Sequence, residues 1–291
     1  MLRICPLILS VLAAATLDWS AVAHAQPPVT AEQRLNRITI RTIGKGSPVV
    51  LIPGLASSSA VFDDVAAKIG HDHRLILVQV NGFGGSEAAS TPLEGLMPGA
   101  VDELAGWLAA NRIEKPAVIG HSMGGLMAMM LAKRHPAAAG KLMIVDSLPF
   151  FGMVMGAATP DAIRPVVEQM RAGVVAAKGP PQVPPHMSNT DAGRAKILEW
   201  LSASDPKTMG EALVEDATTD FRPDLPALAT VPVTVLYAVR APEDKTMIES
   251  LYREAYKALP GAKLVPVDNS DHFIMLDQPE RFAEEVESFL R

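Results

Sequence analysis

Short apolar runs recur along the chain and predict the strands of a mostly parallel sheet. Each run is rich in Val, Ile and Leu and ends at a turn or at a helix-like stretch. The predicted strands are Arg37–Ile43, Pro48–Ile52, Arg74–Val80, Ala117–Gly120, Lys141–Val145, Val231–Tyr237 and Lys263–Val267. Short buried strands that alternate with helices are typical of a parallel sheet covered on both faces. We therefore predict an α/β fold with a doubly wound sheet.

A long segment without strand-like patterns separates Val145 from Val231. It is about 85 residues long and contains helix-like stretches at Asp161–Ala177 and Asp191–Leu201. Connections within such sheets are usually much shorter. We predict an inserted helical cap over residues 148–230, between core segments 26–147 and 231–291. Ordinary crossover helices with a long surface loop are the alternative.

The first 25 residues have the pattern of a secretory signal peptide. Arg3 precedes an apolar run from Leu7 to Leu17, and the segment ends in Ala23-His24-Ala25, a small-x-small cleavage pattern before Gln26. The apolar run is too short to span a bilayer comfortably. We predict a periplasmic or secreted protein without a stable membrane anchor after cleavage. A retained anchor or a disordered tail is the alternative.

Charge and cysteine content exclude several classes of function. The net charge is −6 and no Lys/Arg-rich stretch occurs, so nucleic acid is not expected as a partner. The only cysteine is Cys5, inside the predicted leader. The mature chain would then have no disulfide, no thiol nucleophile and no Cys-ligated zinc. The sequence does not predict an oligomeric state.

The strongest chemical signal is Gly120-His121-Ser122-Met123-Gly124, a G-x-S-x-G motif. It lies between a predicted strand and the helix-like stretch Met123–Arg134. Such a serine sits on a sharp strand-to-helix turn, where flanking glycines avoid Cβ clashes. The adjoining helix N-terminus favours a developing negative charge. Ser122 is therefore the candidate nucleophile.

With this motif and three further segments, the chain resembles the α/β-hydrolase family over nearly all of residues 35–291. In chain order, the further segments are Leu51-Ile52-Pro53-Gly54-Leu55, Asn81-Gly82-Phe83-Gly84-Gly85-Ser86, and Asp271-His272-Phe273 followed by Gln278-Pro279-Glu280. They are similar to the family's oxyanion loop, its Gly-rich turn and its histidine segment. The resemblance implies a serine-nucleophile hydrolase, esterase- or lipase-like, that needs no metal or organic cofactor.

The resemblance also implies the base and the oxyanion donors. Among seven histidines, only His272 lies in a loop just beyond the last predicted strand, which makes it the expected base. The expected donors are the backbone N–H groups of Met123 and Leu55, with Ala56 as an alternative to Leu55.

The acid of the triad departs from the family pattern. The family normally places it shortly after the strand predicted at Val231–Tyr237, where this chain has Ala241. Asp244 follows, 28 residues before His272, a spacing that resembles the family's. Asp146, after the preceding strand, is the rival, because some family members take their acid there. We prefer Asp244; a helix N-cap for Asp244 and a pocket wall for Asp146 are alternatives.

Apolar residues follow the strand that ends near Val145 and suggest an apolar substrate group. They are Phe150, Phe151, Met153, Val154 and Met155. Ordinary cap core is an equally good explanation of the same residues. The predicted reaction is hydrolysis of a carboxylic ester, lactone or thioester of a small molecule through an acyl-enzyme. C–C hydrolysis, perhydrolysis, amide cleavage and a non-catalytic ligand-binding role are the alternatives.

Overall fold

Eight strands form one mixed sheet in the computed structural model, which describes residues 29–90 and 93–291. The predicted leader lies outside the described residues. The strands are β1 (Val29–Arg34), β2 (Ile38–Ile43), β3 (Ser47–Ile52), β4 (His73–Val80), β5 (Ala117–His121), β6 (Lys141–Val145), β7 (Val233–Val239) and β8 (Lys263–Asp268). Their order is β1-β2-β4-β3-β5-β6-β7-β8. The strands from β3 to β8 are parallel, and β1 and β2 are antiparallel additions at one edge.

Nine α-helices and several short 3₁₀ turns connect the strands in the described part of the chain. The helices are α1 (Asp63–Ile69), α2 (Leu96–Ala110), α3 (Met123–Arg134), α4 (Pro160–Ala176), α5 (Asp191–Ala203), α6 (Pro206–Thr218), α7 (Lys245–Ala255), α8 (Ile274–Asp277) and α9 (Pro279–Leu290). None of these helices is long and apolar enough to cross a membrane.

The sheet has an apolar core on each face, as the uninterrupted apolar strands predict. In β3, Val50 and Ile52 belong to the core that includes α2, α3 and α7. Val49 and Leu51 belong to the opposite core, with α1 and α9. Successive side chains of a strand point to opposite faces, so an all-apolar strand fits a sheet covered twice. The predicted fold class is confirmed.

The edge strand β1 was not predicted from the sequence. Its described side chains from Thr30 to Arg34 are exposed, so the strand has no apolar face that a pattern could reveal. Cross-strand pairing holds it instead, with Glu32 opposite Arg41 of β2. A polar edge strand of this kind also discourages pairing with other chains.

The segment between β6 and β7 is helical. The predicted stretches Asp161–Ala177 and Asp191–Leu201 correspond to α4 and α5 within two residues. The structure adds α6, whose N-terminus is capped by the Asp205 carboxylate, which accepts the Thr208 N–H at 2.7 Å. Helices α4 and α6 pack through a separate small apolar cluster that includes Val167 and Val214.

Candidate active site

Ser122 stands at the junction of β5 and α3 with an unusual backbone conformation. Its φ is 55° and its ψ is −125°, a region that side chains rarely adopt. Two hydrogen bonds fix this conformation. The Ser122 N–H donates to the Val145 carbonyl at 2.9 Å, and the Gly125 N–H donates to the Ser122 carbonyl at 2.7 Å. Strained backbone that is held in this way is common at functional sites.

The flanking glycines are needed for close backbone approach. A Cβ atom on Gly120 would collide with the Gly124 carbonyl oxygen, and a Cβ atom on Gly124 would collide with the carbonyl oxygens of Ile52 and Pro53. The turn therefore brings β5, α3 and the end of β3 closer together than side chains would permit. Steric demand explains both glycines of the motif, as the sequence predicts.

The predicted oxyanion loop lies beside the serine. A Cβ atom on Gly54 would lie 3.0 Å from the Ser122 Cβ atom, so the loop that continues into Leu55 touches the turn. Met123 is the first residue of α3, where the N–H groups lack partners within the helix. Both predicted donors therefore belong to the backbone that surrounds Ser122.

His272 follows β8 and reaches the end of β6. Its Nδ1 lies 2.7 Å from the Asp146 Oδ2 atom, a distance at which Nδ1–H donates to the carboxylate. This bond leaves Nε2 as the acceptor nitrogen of the neutral ring. The ring centroids of His272 and His121 are 4.6 Å apart, so the His272 ring lies next to the residue that precedes Ser122.

Asp146 is held by three donors. Its Oδ2 accepts from His272, while its Oδ1 accepts the Ala238 N–H at 2.9 Å and the Tyr252 hydroxyl at 3.0 Å. Burial opposes ionisation of Asp146, but hydrogen bonds from His272 and Ala238 and the positive charge of His272 lower its pKa overall. The carboxylate is therefore available as an anion to orient the imidazole.

A stack of three tyrosines supports the carboxylate. The Tyr252 ring stacks on Tyr237 at 4.5 Å, and Tyr256 lies parallel to it at 6.4 Å. Burial and the neighbouring Asp146 charge raise the pKa of Tyr252, so its hydroxyl stays protonated and donates. Sequence reasoning missed Tyr252, since it lies on α7 and belongs to no motif.

The structure does not bring Asp244 to His272, which corrects the preferred assignment. Asp244 ends a short 3₁₀ turn, Pro242–Asp244, and its carboxylate accepts from Arg240 at 2.8 Å. Strand β7 ends at Val239, two residues later than predicted, and the turn that holds Asp244 follows it. Asp146, the rival, is the carboxylate that contacts His272.

His121 ties the serine turn to the histidine loop. Its Nε2 lies 3.0 Å from the His272 carbonyl oxygen and donates a hydrogen to it. Burial, together with positive charge on His272, lowers the pKa of His121 to about 3. Because His121 stays neutral and is fully enclosed, it positions the loop and does not compete as a base.

The cap also grips the histidine loop through backbone bonds. The His272 N–H donates to the His186 carbonyl at 3.1 Å, and the Phe273 N–H donates to the Met187 carbonyl at 2.9 Å. Both acceptors belong to the segment that precedes α5. The cap and the histidine loop are therefore connected by main chain and not only by side-chain packing.

The buried carboxylate of Asp277 adds to this connection. It accepts the Asp271 N–H at 2.8 Å on the histidine loop. On the cap side it accepts the Ser188 hydroxyl at 2.5 Å and the Asn189 N–H at 3.2 Å. One carboxylate thus joins both segments, a role that the sequence did not reveal.

The five apolar residues after β6 divide into two groups. Phe150 is fully buried in the small cluster between α4 and α6, and Phe151 and Met153 pack against that cluster. Val154 and Met155 are 60% and 47% exposed. Cap core therefore accounts for the first three residues, which was the alternative to substrate contact.

Metal binding has no candidate ligand set in residues 29–90 and 93–291. No three His, Cys, Asp or Glu side chains in these ranges are grouped so that they could hold an ion.

A strained serine at a strand-to-helix turn, a paired His and Asp, and a mostly parallel eight-stranded sheet define an α/β hydrolase. The family model described as "Alpha/beta hydrolase family" matches residues 49–285, a range that includes Ser122, Asp146 and His272. The chain therefore belongs to the alpha/beta hydrolase family, as its motifs indicated.

Relatives and solved structures agree with this assignment. The chain is 27% identical over 264 residues to the pimeloyl-[acyl-carrier protein] methyl ester esterase of Aeromonas hydrophila, covering 87% of this chain and 99% of the relative. A thermophilic esterase from Thermogutta terrifontis superposes with a TM-score of 0.70 at 22% identity, covering 90% and 98% of the two chains. The enol-lactonase from Burkholderia xenovorans LB400 superposes with a TM-score of 0.67 at 19% identity, covering 89% and 99%.

Proposed function

We propose that this protein is a serine hydrolase that cleaves a carboxylic ester, or a related lactone or thioester, of a small molecule. The observation that carries the proposal is the hydrogen-bonded pair of His272 and Asp146, adjacent to the strained turn that presents Ser122. The esterase names of several relatives support ester hydrolysis as the reaction type.

The proposed reaction begins with attack of the Ser122 hydroxyl oxygen on the ester carbonyl carbon. The His272 Nε2 takes the hydroxyl proton as the C–O bond forms. The carbonyl electron pair moves to oxygen, and the N–H groups of Met123 and Leu55 stabilise the resulting oxyanion. Collapse of the tetrahedral intermediate expels the alcohol, which receives the proton from His272, and leaves an acyl-serine.

Water completes the cycle through the same groups. His272 takes a proton from water as its oxygen attacks the acyl carbon, and then returns that proton to the departing Ser122 oxygen. The carboxylic acid is released. Throughout, Asp146 holds Nδ1–H of the imidazole and stabilises its positive charge, while Tyr252 and Ala238 hold the carboxylate.

The substrate is proposed to be largely apolar. Leu55, beside the turn, is a partly buried apolar side chain next to the main core, and Val154 and Met155 at the start of the cap are exposed apolar side chains. Such side chains suit an alkyl or aryl group more than a strongly anionic one.

A series of p-nitrophenyl esters tests the proposal. We expect wild-type protein to hydrolyse members of a series from acetate to long acyl chains, with a chain-length optimum that reports the acyl pocket. A serine-directed fluorophosphonate should add one phosphonyl group to Ser122, detectable by peptide mass spectrometry. Folded protein that cleaves no ester and resists the phosphonate would refute the proposal.

We also propose that the enzyme is exported to the periplasm or secreted. The proposal rests on the composition of residues 1–25, with Ala23-His24-Ala25 before Gln26. Expression of the full chain in a Gram-negative host should yield an extracytoplasmic protein whose N-terminal residue is Gln26. Recovery of the uncleaved chain from the cytoplasm alone would contradict this expectation.

A further inference from the structure

Helix α6 crosses the carboxyl edge of the sheet above the catalytic residues. Its N-terminal end is fastened to the loop after β4, where the Asp205 N–H donates to the Gly82 carbonyl at 2.7 Å. The Ser204 hydroxyl accepts the Gly84 N–H at 2.9 Å and donates to the Trp200 carbonyl at 2.7 Å, and its oxygen lies 3.3 Å from the Ala56 carbonyl oxygen beside the oxyanion loop.

The other end of α6 is fastened beyond β6. The Phe221 N–H donates to the Pro149 carbonyl at 2.7 Å, three residues after Asp146. Strand β5, which carries Ser122 at its end, lies between β3 and β6 in the sheet. The helix therefore passes over the edge at which Ser122 is presented, and its last turn lies toward Asp146 and His272.

The faces of α6 have distinct partners. Val214 and Ala217 pack against α4, and Glu211 pairs with Arg171 of α4 at 3.3 Å. Ala212 joins the main core. Asp216 lies in the last turn of the helix, is partly buried, and is within electrostatic reach of His272.

Asp216 differs from the neighbouring carboxylates because it has no protein partner in the described part of the chain. Glu215 accepts the Leu96 N–H at 2.8 Å and the Met97 N–H at 2.7 Å. Asp220 pairs with Arg222 at 2.6 Å. No hydrogen bond or ion pair from residues 29–90 and 93–291 reaches the Asp216 carboxyl group.

We propose that Asp216 is a specificity-determining residue that accepts a hydrogen bond from a hydroxyl or ammonium group of the substrate. The inference rests on the proposed ester hydrolysis and adds to it one polar group on an otherwise apolar substrate. The donor would lie between α6 and His272, away from the reacting carbonyl.

The energetics favour a ligand at this position. A partly buried carboxyl group without a protein donor loses part of its hydration with no hydrogen bond in return. Burial raises the pKa of Asp216 to about 7, while positive charge on His272 acts in the opposite direction. A substrate donor would satisfy the group, and hydrogen bonds to charged groups are among the stronger ones.

Matched esters provide the test. The acyl series consists of the p-nitrophenyl esters of hexanoate, 6-hydroxyhexanoate and 6-(dimethylamino)hexanoate. The alcohol series consists of the butyrate esters of hexanol, 1,6-hexanediol and 6-(dimethylamino)hexanol, followed by acid release. Wild type is compared with Asp216→Leu, which removes the acceptor, and Asp216→Asn, which removes only the charge. Glu211→Gln is the matched control, since it neutralises a carboxylate on the same helix that faces α4.

In wild type and Glu211→Gln, we expect a terminal donor in one series to raise kcat/KM by about tenfold or more over the methyl-terminated ester. Asp216→Leu should remove that advantage while hydrolysing the plain ester within a few-fold of wild type. Asp216→Asn should keep much of the hydroxyl advantage and lose the ammonium advantage. If circular dichroism shows that Asp216→Leu is unfolded, the test rests on whether Asp216→Asn loses the gain in kcat/KM for the ammonium-terminated ester.

The inference would be overturned if the donor-terminated esters gained equally in kcat/KM in wild type and Asp216→Leu, or if they gained nothing in either series. The proposed function would survive either result, because the methyl-terminated esters would still be hydrolysed. If folded wild-type protein does not hydrolyse p-nitrophenyl hexanoate at all, the proposed function and this inference are both refuted.

Discussion

Replacement of Ser122 by alanine is expected to lower kcat for ester hydrolysis by at least about 10⁴-fold, because no other group can form the acyl-enzyme. The residual rate would come from the oxyanion donors and from substrate binding. The thermal midpoint should remain close to that of wild type, since alanine fits the same turn. Initial rates with the best ester of the series, measured beside a thermal melt, check both parts.

The control for this variant is Ser202→Ala, on the exposed face of α5. Its hydroxyl donates to the Leu198 carbonyl at 2.6 Å, and the residue is far in sequence from the turn. It should retain wild-type kcat and react fully with a fluorophosphonate. Equal phosphonate incorporation into Ser122→Ala and wild type would show that the nucleophile lies elsewhere.

The two candidate acids are expected to behave very differently. Asp146→Asn should lower kcat by about 10⁴-fold, because an amide at this position favours the wrong imidazole tautomer. That tautomer carries its hydrogen on Nε2 and cannot accept the Ser122 proton. Asp244→Asn should stay within a few-fold of wild type, since it loses only a solvent-exposed pair with Arg240.

Steady-state kinetics on both variants, with thermal melts, check this contrast. Each substitution is isosteric and removes one negative charge, so the two variants control for each other. A large loss in Asp244→Asn with normal Asp146→Asn would mean that the working enzyme uses a different turn after β7. Similar small losses in both would remove the acid from the proposed triad.

Local patterns were enough to predict much of the site. Ser122, Gly120 and Gly124 lie within five consecutive residues, so the strain and close contact of the turn can be read from one motif. His272 could be predicted because it directly follows the last strand. In both cases the position depends on where a strand ends, and the ends of β5 and β8 were predicted within one residue.

The acid could not be predicted in the same way. Asp146 and His272 are 126 residues apart, and their contact depends on how β6, β7 and β8 stagger at the sheet edge. Both candidate carboxylates follow strands, and the apolar patterns do not show which of the two strand ends lies beside the histidine loop. The number of residues between a carboxylate and His272 does not show whether the two side chains face each other. The spacing therefore favoured Asp244, which does not contact His272.

Long-range support was equally hidden. Tyr252 reaches Asp146 from α7, and Asp277 joins the cap to the histidine loop, yet neither position belongs to a recognisable motif. Helix α6 was missed because its polar and apolar residues are interspersed. They contact α4, the main core and the start of α2. A single amphipathic stripe would have revealed it.

The main-chain bonds between His186–Met187 and His272–Phe273 constrain how ligands can enter and leave. If this end of the cap moved away from the sheet, it would displace the His272 backbone and separate the ring from Asp146. Ligand entry or exit on this side would then require the His272–Asp146 pair to form again in every turnover. The architecture instead favours a fixed wall at the histidine, with passage through the part of the cap that has no such ties to it.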